Sequence, residues 1–214
     1  MVNSLENSLI KEKPDVKKTG TTTLGIICKD AAVVAAEKKS TMGYLIASKE
    51  SEKIIKIDDK IVMTTAGASG DAQTLARYLA AEVKLFEMQN QRKISVKSAA
   101  TLLSNILQGS KYYPYYVQLI LGGHDEEGPG IFDLDAIGGM EEEKKFFATG
   151  SGSPMALGVL EDGYREGMSA EEGAKLAVRA IKAAIERDIG SGGKAIDVAI
   201  INKDGIKVTR NDLK

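Results

Sequence analysis

The chain has 214 residues, and its 29 basic and 30 acidic side chains leave a net charge of −1. Such a length can bury roughly 70% of the unfolded surface, which is enough for one compact domain, and a nearly neutral chain disfavours nucleic acid as the main partner. The single cysteine excludes an internal disulfide and fits a reducing compartment, while the single histidine excludes a zinc site built on a histidine pair. We therefore expect a cytoplasmic protein, and no apolar run reaches the ~18 residues of a membrane-spanning helix.

The N-terminal segment differs in character from the chain that follows it. Residues 1–20 are polar and lack the apolar stretch of a secretion signal, which is typical of a disordered leader. At residues 21–28 the sequence changes to a β-branched and apolar run that predicts a buried strand. Another strand is predicted over residues 31–36, and residues 54–57 and 61–66 predict a hairpin.

The middle of the chain alternates between helical and extended patterns. Apolar residues recur at helical spacing over residues 70–90, and Ser95 begins a second helix that ends at Gly109. Strands are then predicted over residues 115–121, 131–136 and 144–148.

The last third of the chain predicts two more helices and a closing hairpin. One helix covers residues 153–163 with Ser153 as its capping residue, and a capping box at residues 169–172 opens a longer one. Residues 195–201 and 206–209 form the predicted hairpin. Because strands are grouped with strands and helices with helices, we expect an α+β fold in a single domain.

Three conspicuous features predict no chemistry of their own. His124 lies in a glycine-rich polar segment, where a solvated turn residue is expected rather than a catalytic base. Cys28 has apolar neighbours, so a buried and inert thiol is expected. The tyrosines around Pro114 predict packing or a subunit contact, because no basic patch accompanies them.

The boundary between Gly20 and Thr21 is the strongest candidate for chemistry. A threonine hydroxyl is a poor nucleophile until a base takes its proton. Cleavage between Gly20 and Thr21 would give Thr21 a free α-amine with a reference pKa of about 7.7–8.0, which can act as that base. A site of this kind needs no histidine.

Thr21 begins a series of motifs that extends along the chain. The motifs occupy residues 19–26, 36–43, 53–59, 63–67, 70–73, 148–154, 187–188, 191–193 and 196–198. In them the chain resembles the catalytic β subunits of the proteasome core particle, most closely the archaeal type, over residues 19–210. The resemblance implies an N-terminal-nucleophile hydrolase, in which two stacked and mainly antiparallel sheets lie between helix pairs in a four-layer αββα sandwich.

The same resemblance implies a role for individual residues. Thr21 would be the nucleophile and, through its α-amine, the base. Lys53 would favour deprotonation of the Thr21 hydroxyl by its charge, and Glu37 would orient Lys53, although many members of the family have aspartate at that position. The other implied site residues are Asp188, Ser191 and Ser151 around the threonine amine, and Gly67, whose backbone N–H would hold the oxyanion.

The resemblance also implies a substrate pocket with a neutral wall and an apolar floor. Cleavage after hydrophobic residues would follow from that lining. The implied pocket residues are Ser40, Ser51, Ile55, Thr65 and Ser69.

Maturation and assembly are further implications of the resemblance. Residues 1–20 would be a propeptide removed by autocatalytic cleavage between Gly20 and Thr21, which leaves one catalytic domain over residues 21–214. The implied partners are further copies of the chain in seven-membered β rings, rings of α subunits, and ATP-dependent unfoldases that deliver unfolded polypeptides. No metal or organic cofactor is expected.

Three other functions stay open from the sequence. The first is a different N-terminal-nucleophile amidohydrolase acting on a small amide, which Lys53 and residues 191–193 disfavour. The second is the bacterial two-ring peptidase relative, which begins closer to its nucleophile. The third is a catalytically silent ring subunit, which the intact Thr21, Glu37 and Lys53 disfavour.

Overall fold

The computed structural model describes residues 20–213, and all but the last residue of the expected leader lies outside that range. Within it the chain forms thirteen strands and four helices. The strands are β1 (Thr23–Ile27), β2 (Ala32–Glu37), β3 (Ser40–Met42), β4 (Leu45–Ser48), β5 (Ile54–Asp58), β6 (Ile61–Thr64), β7 (Ala66–Gly67), β8 (Val117–Asp125), β9 (Gly128–Leu134), β10 (Met140–Glu143), β11 (Phe146–Thr149), β12 (Ala195–Asn202) and β13 (Gly205–Asp212). The helices are α1 (Ser69–Asn90), α2 (Val96–Gly109), α3 (Ser153–Gly163) and α4 (Ala170–Ile185).

The strands form two main antiparallel sheets. The first sheet has the order β11-β1-β2-β12-β13, and the second has the order β10-β9-β8-β6-β5, with the short β7 paired to β8. Strands β3 and β4 form a separate hairpin. Because neighbouring strands are antiparallel, the start of one strand lies beside the end of the next.

Three groups of buried side chains show how the sheets and helices are stacked. Along β2, Val33 and Ala35 pack with α3 and α4, whereas Ala32 and Val34 pack with residues of the second sheet. This alternation is the two-residue period of a strand that is covered on both faces. Helices α1 and α2 cover the outer face of the second sheet. The fold is therefore the expected four-layer αββα sandwich.

Two of the expected helix starts have the predicted side-chain caps. The Ser95 hydroxyl accepts a hydrogen bond from the N–H of Ser98 at 3.1 Å. Ser169 and Glu172 exchange side-chain and backbone hydrogen bonds in a complete capping box at the start of α4. These caps are readable from sequence because they depend on residues three positions apart.

Several local expectations are wrong. The cap of α3 is Gly152, and Ser153 is already the first helical residue. His124 lies in strand β8 and pairs with Pro129, so it is not in a turn. Its glycine-rich surroundings reflect close packing of the sheets, because a Cβ on Gly122 would lie 2.5 Å from Cγ2 of Val34.

The structure also contains elements that the sequence pattern did not predict. They are the hairpin of β3 and β4 and the short strands β7 and β10. The tip of this hairpin is exposed. Tyr44 and Leu45 at the tip are both exposed, so the hairpin lacks the alternation of buried and exposed residues that would predict a strand. In the tyrosine cluster, Tyr112 and Tyr113 are exposed and do not pack within the subunit, so only the subunit contact stays a prediction for them.

Candidate active site

Strand ends from both sheets meet at one edge of the sandwich. In the first sheet, Thr23 at the start of β1 pairs with Ala36 near the end of β2 and with Thr149 at the end of β11. In the second sheet, Ile54 at the start of β5 pairs with Thr64 at the end of β6. The segments that flank these ends carry the candidate residues.

The Thr21 hydroxyl lies between a carbonyl group and a cation. Its Oγ1 donates a hydrogen bond to the carbonyl oxygen of Gly20 at 2.6 Å, and it accepts one from Nζ of Lys53 at 2.9 Å. Thr21 is buried, with 5% of its surface exposed. The hydroxyl is thus held against the peptide bond that precedes it, beside a group that can stabilise negative charge on its oxygen.

Lys53 and Glu37 form a buried ion pair next to this hydroxyl. Burial lowers the pKa of Lys53 and raises the pKa of Glu37, and the opposite charge of each partner counteracts these shifts. The Glu37 carboxylate also accepts hydrogen bonds from the backbone N–H groups of Thr22, Lys39 and Gly192. These donors compensate for the loss of water around the carboxylate.

A second polar group lies on the other side of Thr21. The amide N–H of Thr21 donates to the Ser151 hydroxyl at 3.1 Å, and the hydroxyls of Ser151 and Ser191 each donate to Oδ2 of Asp188 at 2.6 Å. Since the Ser191 proton is used in that bond, its oxygen accepts from the Thr22 hydroxyl, 2.6 Å away. Asp188 therefore fixes the orientation of two hydroxyl groups, that of Ser151 beside the Thr21 nitrogen and that of Ser191 beside the Thr22 hydroxyl.

The structure brings together Thr21, Lys53, Glu37, Asp188, Ser191 and Ser151 through these hydrogen bonds. Gly67 ends strand β7 with φ of +112°, and a Cβ there would lie 2.2 Å from the carbonyl oxygen of Tyr116. Only glycine fits that conformation and that close approach. The role of the Gly67 N–H as an oxyanion donor stays a prediction.

The five candidate pocket residues come from separate elements and are all at least partly exposed. Ser40 lies on β3, Ile55 lies on β5, and Ser69 begins α1. The N–H of Thr65 donates to the carbonyl of Lys53, and that of Ser51 donates to the carbonyl of Lys38. The backbone thus links Thr65 directly to a site residue and Ser51 to the neighbour of Glu37, while contact of the five residues with substrate stays a prediction.

Gly20 makes two contacts that the sequence pattern does not predict. The N–H of Gly20 donates to the Thr41 hydroxyl at 3.0 Å. A Cβ on Gly20 would lie 2.1 Å from Cα of Gly190, so the two backbones touch. Gly20 is not among the glycines with positive φ, and its need for glycine comes from this crossing rather than from a tight turn.

Cys28 and His124 stay outside these hydrogen bonds. Cys28 is buried, as expected, and burial raises the pKa of its thiol to about 12, with further contributions from the charges of Glu171 and Glu172. A thiol with so high a pKa is a poor nucleophile at neutral pH. His124 lies near the far end of β8 beside Lys60, to whose carbonyl its N–H donates.

The fold is the four-layer sandwich of the N-terminal-nucleophile class of hydrolases, and the buried Thr21 lies just before its first strand. Comparison with known sequences gives the family. The family described as proteasome subunit matches residues 17–201, so the chain belongs to the proteasome family.

Several similar proteins come from archaea. The proteasome subunit beta of Methanohalophilus mahii is 56% identical over 188 residues, covering 88% of this chain and 89% of its own. That of Methanocaldococcus jannaschii is 53% identical over 199 residues, covering 92% and 88%, and that of Archaeoglobus profundus is 51% identical over 197 residues, covering 92% and 91%. Within the family the chain is of the archaeal β type. Among residues 20–213, no helix is long and apolar enough to cross a membrane.

Proposed function

We propose that the chain is a catalytic β subunit of the proteasome core particle and acts as a threonine endopeptidase. The main support for the proposal is the position of the Thr21 hydroxyl. Its Oγ1 lies 2.6 Å from the carbonyl oxygen of Gly20 and 2.9 Å from Nζ of Lys53. A nucleophile held against a carbonyl, with a cation beside it, is arranged for acyl transfer.

Maturation is the first reaction in this proposal. Thr21 Oγ1 attacks the Gly20 carbonyl carbon, the carbon–nitrogen bond breaks, and the acyl group moves from the nitrogen to the oxygen of Thr21. The hydroxyl proton passes to the leaving nitrogen, and Lys53, whose pKa burial lowers, is the nearest amine that can relay it. Water then hydrolyses the ester, which releases residues 1–20 with a Gly20 carboxylate and leaves Thr21 with a free amine.

Peptide hydrolysis repeats this chemistry on other chains. The freed α-amine takes the proton of Oγ1, and the substrate carbonyl forms an ester with Thr21 that water hydrolyses. Ser151, which contacts the Thr21 nitrogen at 3.1 Å and donates to Asp188, holds the amine in place, and Ser191 supports Asp188. The N–H of Gly67 holds the oxyanion.

The pocket for the residue before the cleaved bond is neutral and therefore favours hydrophobic residues. It is lined by Ser40, Ser51, Ile55, Thr65 and Ser69. The subunit works in the cytoplasm in seven-membered β rings between α-subunit rings, supplied with unfolded polypeptides by ATP-dependent unfoldases. Family membership and the relatives named as proteasome subunits support this assembly.

The test compares Thr21→Ala with the control His124→Ala in assembled particles. We expect Thr21→Ala to retain residues 1–20 by intact-mass analysis and to lose peptidase activity on fluorogenic peptides by at least about a thousandfold, because removal of a nucleophile leaves only binding and oxyanion effects. His124→Ala should keep activity within about twofold, as it lies outside the site. Active wild-type particles that still carry residues 1–20 would contradict the proposal, and inactive wild-type particles would indicate a silent ring subunit.

A further inference from the structure

The segment that carries Asp188 and Ser191 has no helix or strand of its own. It lies between α4 and β12, and Gly192 and Gly193 within it have φ of +145° and +100°. Glycine-rich backbone of this kind has many accessible conformations. Hydrogen bonds inside the segment, from the Gly190 N–H and the Ser191 hydroxyl to Asp188, and contacts from outside the segment together fix the two side chains.

Lys39 makes two of the contacts from outside the segment and a third contact to Glu37. Its backbone N–H lies 2.6 Å from Oε2 of Glu37 and 3.0 Å from the carbonyl oxygen of Gly192. Its side chain crosses to the same segment, where Nζ donates to the carbonyl oxygen of Ile189 at 2.8 Å. One residue thus links the carboxylate that binds Lys53 to the segment that follows Asp188.

The ammonium group of Lys39 lies directly against the backbone of this segment. A Cβ on Gly192 would be 3.3 Å from Nζ of Lys39, so the glycine leaves room for the lysine side chain. The neighbouring Lys38 differs, because its ammonium pairs with Asp197 on β12 at 2.5 Å. The two ammonium groups therefore have separate partners, a sheet residue for Lys38 and a site segment for Lys39, while the backbone N–H groups of both lysines donate to the carbonyl oxygen of Gly192.

We propose that Lys39 is a positioning residue for the reaction at Thr21: it holds the segment of residues 188–192 so that Asp188, which also binds Ser191, keeps the Ser151 hydroxyl aligned with the Thr21 nitrogen. The inference rests on the proposed threonine peptidase function. Lys39 acts through Asp188 and Ser191 rather than on the reacting atoms. A hydrogen bond from a charged donor is about twice as strong as a neutral one, which suits a contact that must order a glycine-rich segment.

The charge of Lys39 has a second effect on the site. Burial is the main cause that lowers the pKa of Lys53, the charge of Lys39 lowers it further, and the charges of Glu37 and Asp188 raise it. Removing the Lys39 cation should raise the pKa of nearby amines, which include Lys53 and the α-amine of matured Thr21. Because the amine must be unprotonated to act as a base, the acidic limb of the pH profile should then move to higher pH.

The test uses Lys39→Met, Lys39→Gln and Lys39→Arg in assembled particles, with Lys194→Met as a control that removes a nearby exposed charge paired with Glu50. We expect Lys39→Met to lower kcat about tenfold while KM stays within about twofold, since the substrate contacts are unchanged. Its acidic limb of kcat/KM should lie at higher pH than that of the wild type. Lys39→Arg, which keeps both charge and donor, should restore kcat and the pH profile, and Lys194→Met should match the wild type.

The outcomes separate this inference from the proposed function. A wild-type kcat and a wild-type pH profile in either Lys39→Met or Lys39→Gln would overturn the positioning role. If Lys39→Met does not assemble, Lys39→Gln is used for the same measurement. A loss of activity that Lys39→Arg does not restore, or that is equal at every pH, would also overturn it. Activity retained by Thr21→Ala would instead overturn the proposed function.

Discussion

At the scale of single residues, Glu37 connects the largest number of site contacts. Its side chain is fully buried, and its two oxygens accept from Lys53 and from three backbone N–H groups. A buried carboxylate is costly unless such donors replace water. The pKa of Glu37 is nevertheless raised by burial, so the pair with Lys53 should be lost on acidification at a pH above the usual carboxylate range.

Replacing Glu37 by glutamine tests this dependence. One oxygen becomes an NH₂ group that faces N–H donors, and Lys53 loses its counter-charge. We expect Glu37→Gln to lower the free energy of unfolding by about 3–5 kcal/mol, as for other broken buried ion pairs, and to reduce peptidase activity at least about a hundredfold.

Urea unfolding and fluorogenic-peptide assays at neutral pH measure both effects. Glu37→Asp keeps the charge and should retain more activity, and the exposed Glu52→Gln should behave as the wild type. Equal stability of Glu37→Gln and Glu52→Gln would show that the ion pair contributes little to folding.

At the scale of elements, the site depends on segments that cross outside the sheets. The backbone at Gly20 touches the backbone at Gly190, which lies two residues after Asp188. The N–H of Gly190 in turn donates to Oδ1 of Asp188 at 3.1 Å. The segment before β1 and the segment before β12 are therefore fitted to each other with no space for a side chain.

A methyl group at Gly20 should disturb this crossing. Because the added Cβ would lie 2.1 Å from Cα of Gly190, the backbone must shift and carry the Gly20 carbonyl away from Thr21 Oγ1. We expect Gly20→Ala to slow removal of residues 1–20 by at least about tenfold, since a displacement of 1 Å can cost a hundredfold in rate. Intact-mass analysis over time measures processing.

The matched control is Gly70→Ala in α1, where an added Cβ meets no atom within 4 Å. This variant should be processed at the wild-type rate. Processing of Gly20→Ala at the same rate would show that the crossing relaxes easily and does not set the geometry of attack.

At the scale of the whole molecule, the two sheets must keep a fixed register because each contributes to the site. Thr21 precedes a strand of the first sheet, whereas Lys53 precedes a strand of the second. A buried threonine links the sheets near these residues: the hydroxyl of Thr23 lies 3.1 Å from that of Thr64 in the second sheet, and 2.7 Å from that of Thr149 in its own sheet. Stacking and this polar link together hold Thr21 beside Lys53.

The variant Thr23→Val keeps the shape of the side chain and removes the link. The hydroxyls of Thr64 and Thr149 then lose a buried partner, and we expect the free energy of unfolding to fall by about 1–3 kcal/mol. The control is Thr101→Val on the exposed face of α2, whose hydroxyl bonds only within its own helix; it should change stability by less than about 0.5 kcal/mol. Equal effects in urea unfolding of the two variants would contradict a special role for Thr23.

Much of the architecture could be predicted from the sequence because its signals are local. The capping box at Ser169, the strand period along β2 and the closing hairpin of β12 and β13 depend on residues only a few positions apart. The short β7, the β10 edge strand and the hairpin of β3 and β4 escaped prediction, because long-range pairing rather than a clear burial period defines them.

The sequence by itself determined which residues could carry the chemistry. Its single histidine favours a nucleophile that needs none, such as Thr21, and the resemblance in the motifs after Gly20 implies Glu37, Lys53 and Asp188. Only the tertiary structure decided how they meet. It placed Lys53 from one sheet against Thr21 from the other, brought Gly190 against Gly20, and extended Lys39 to the segment after Asp188. The physical reason is that these contacts join residues far apart in the chain, and their distances depend on how the layers stack rather than on any local preference.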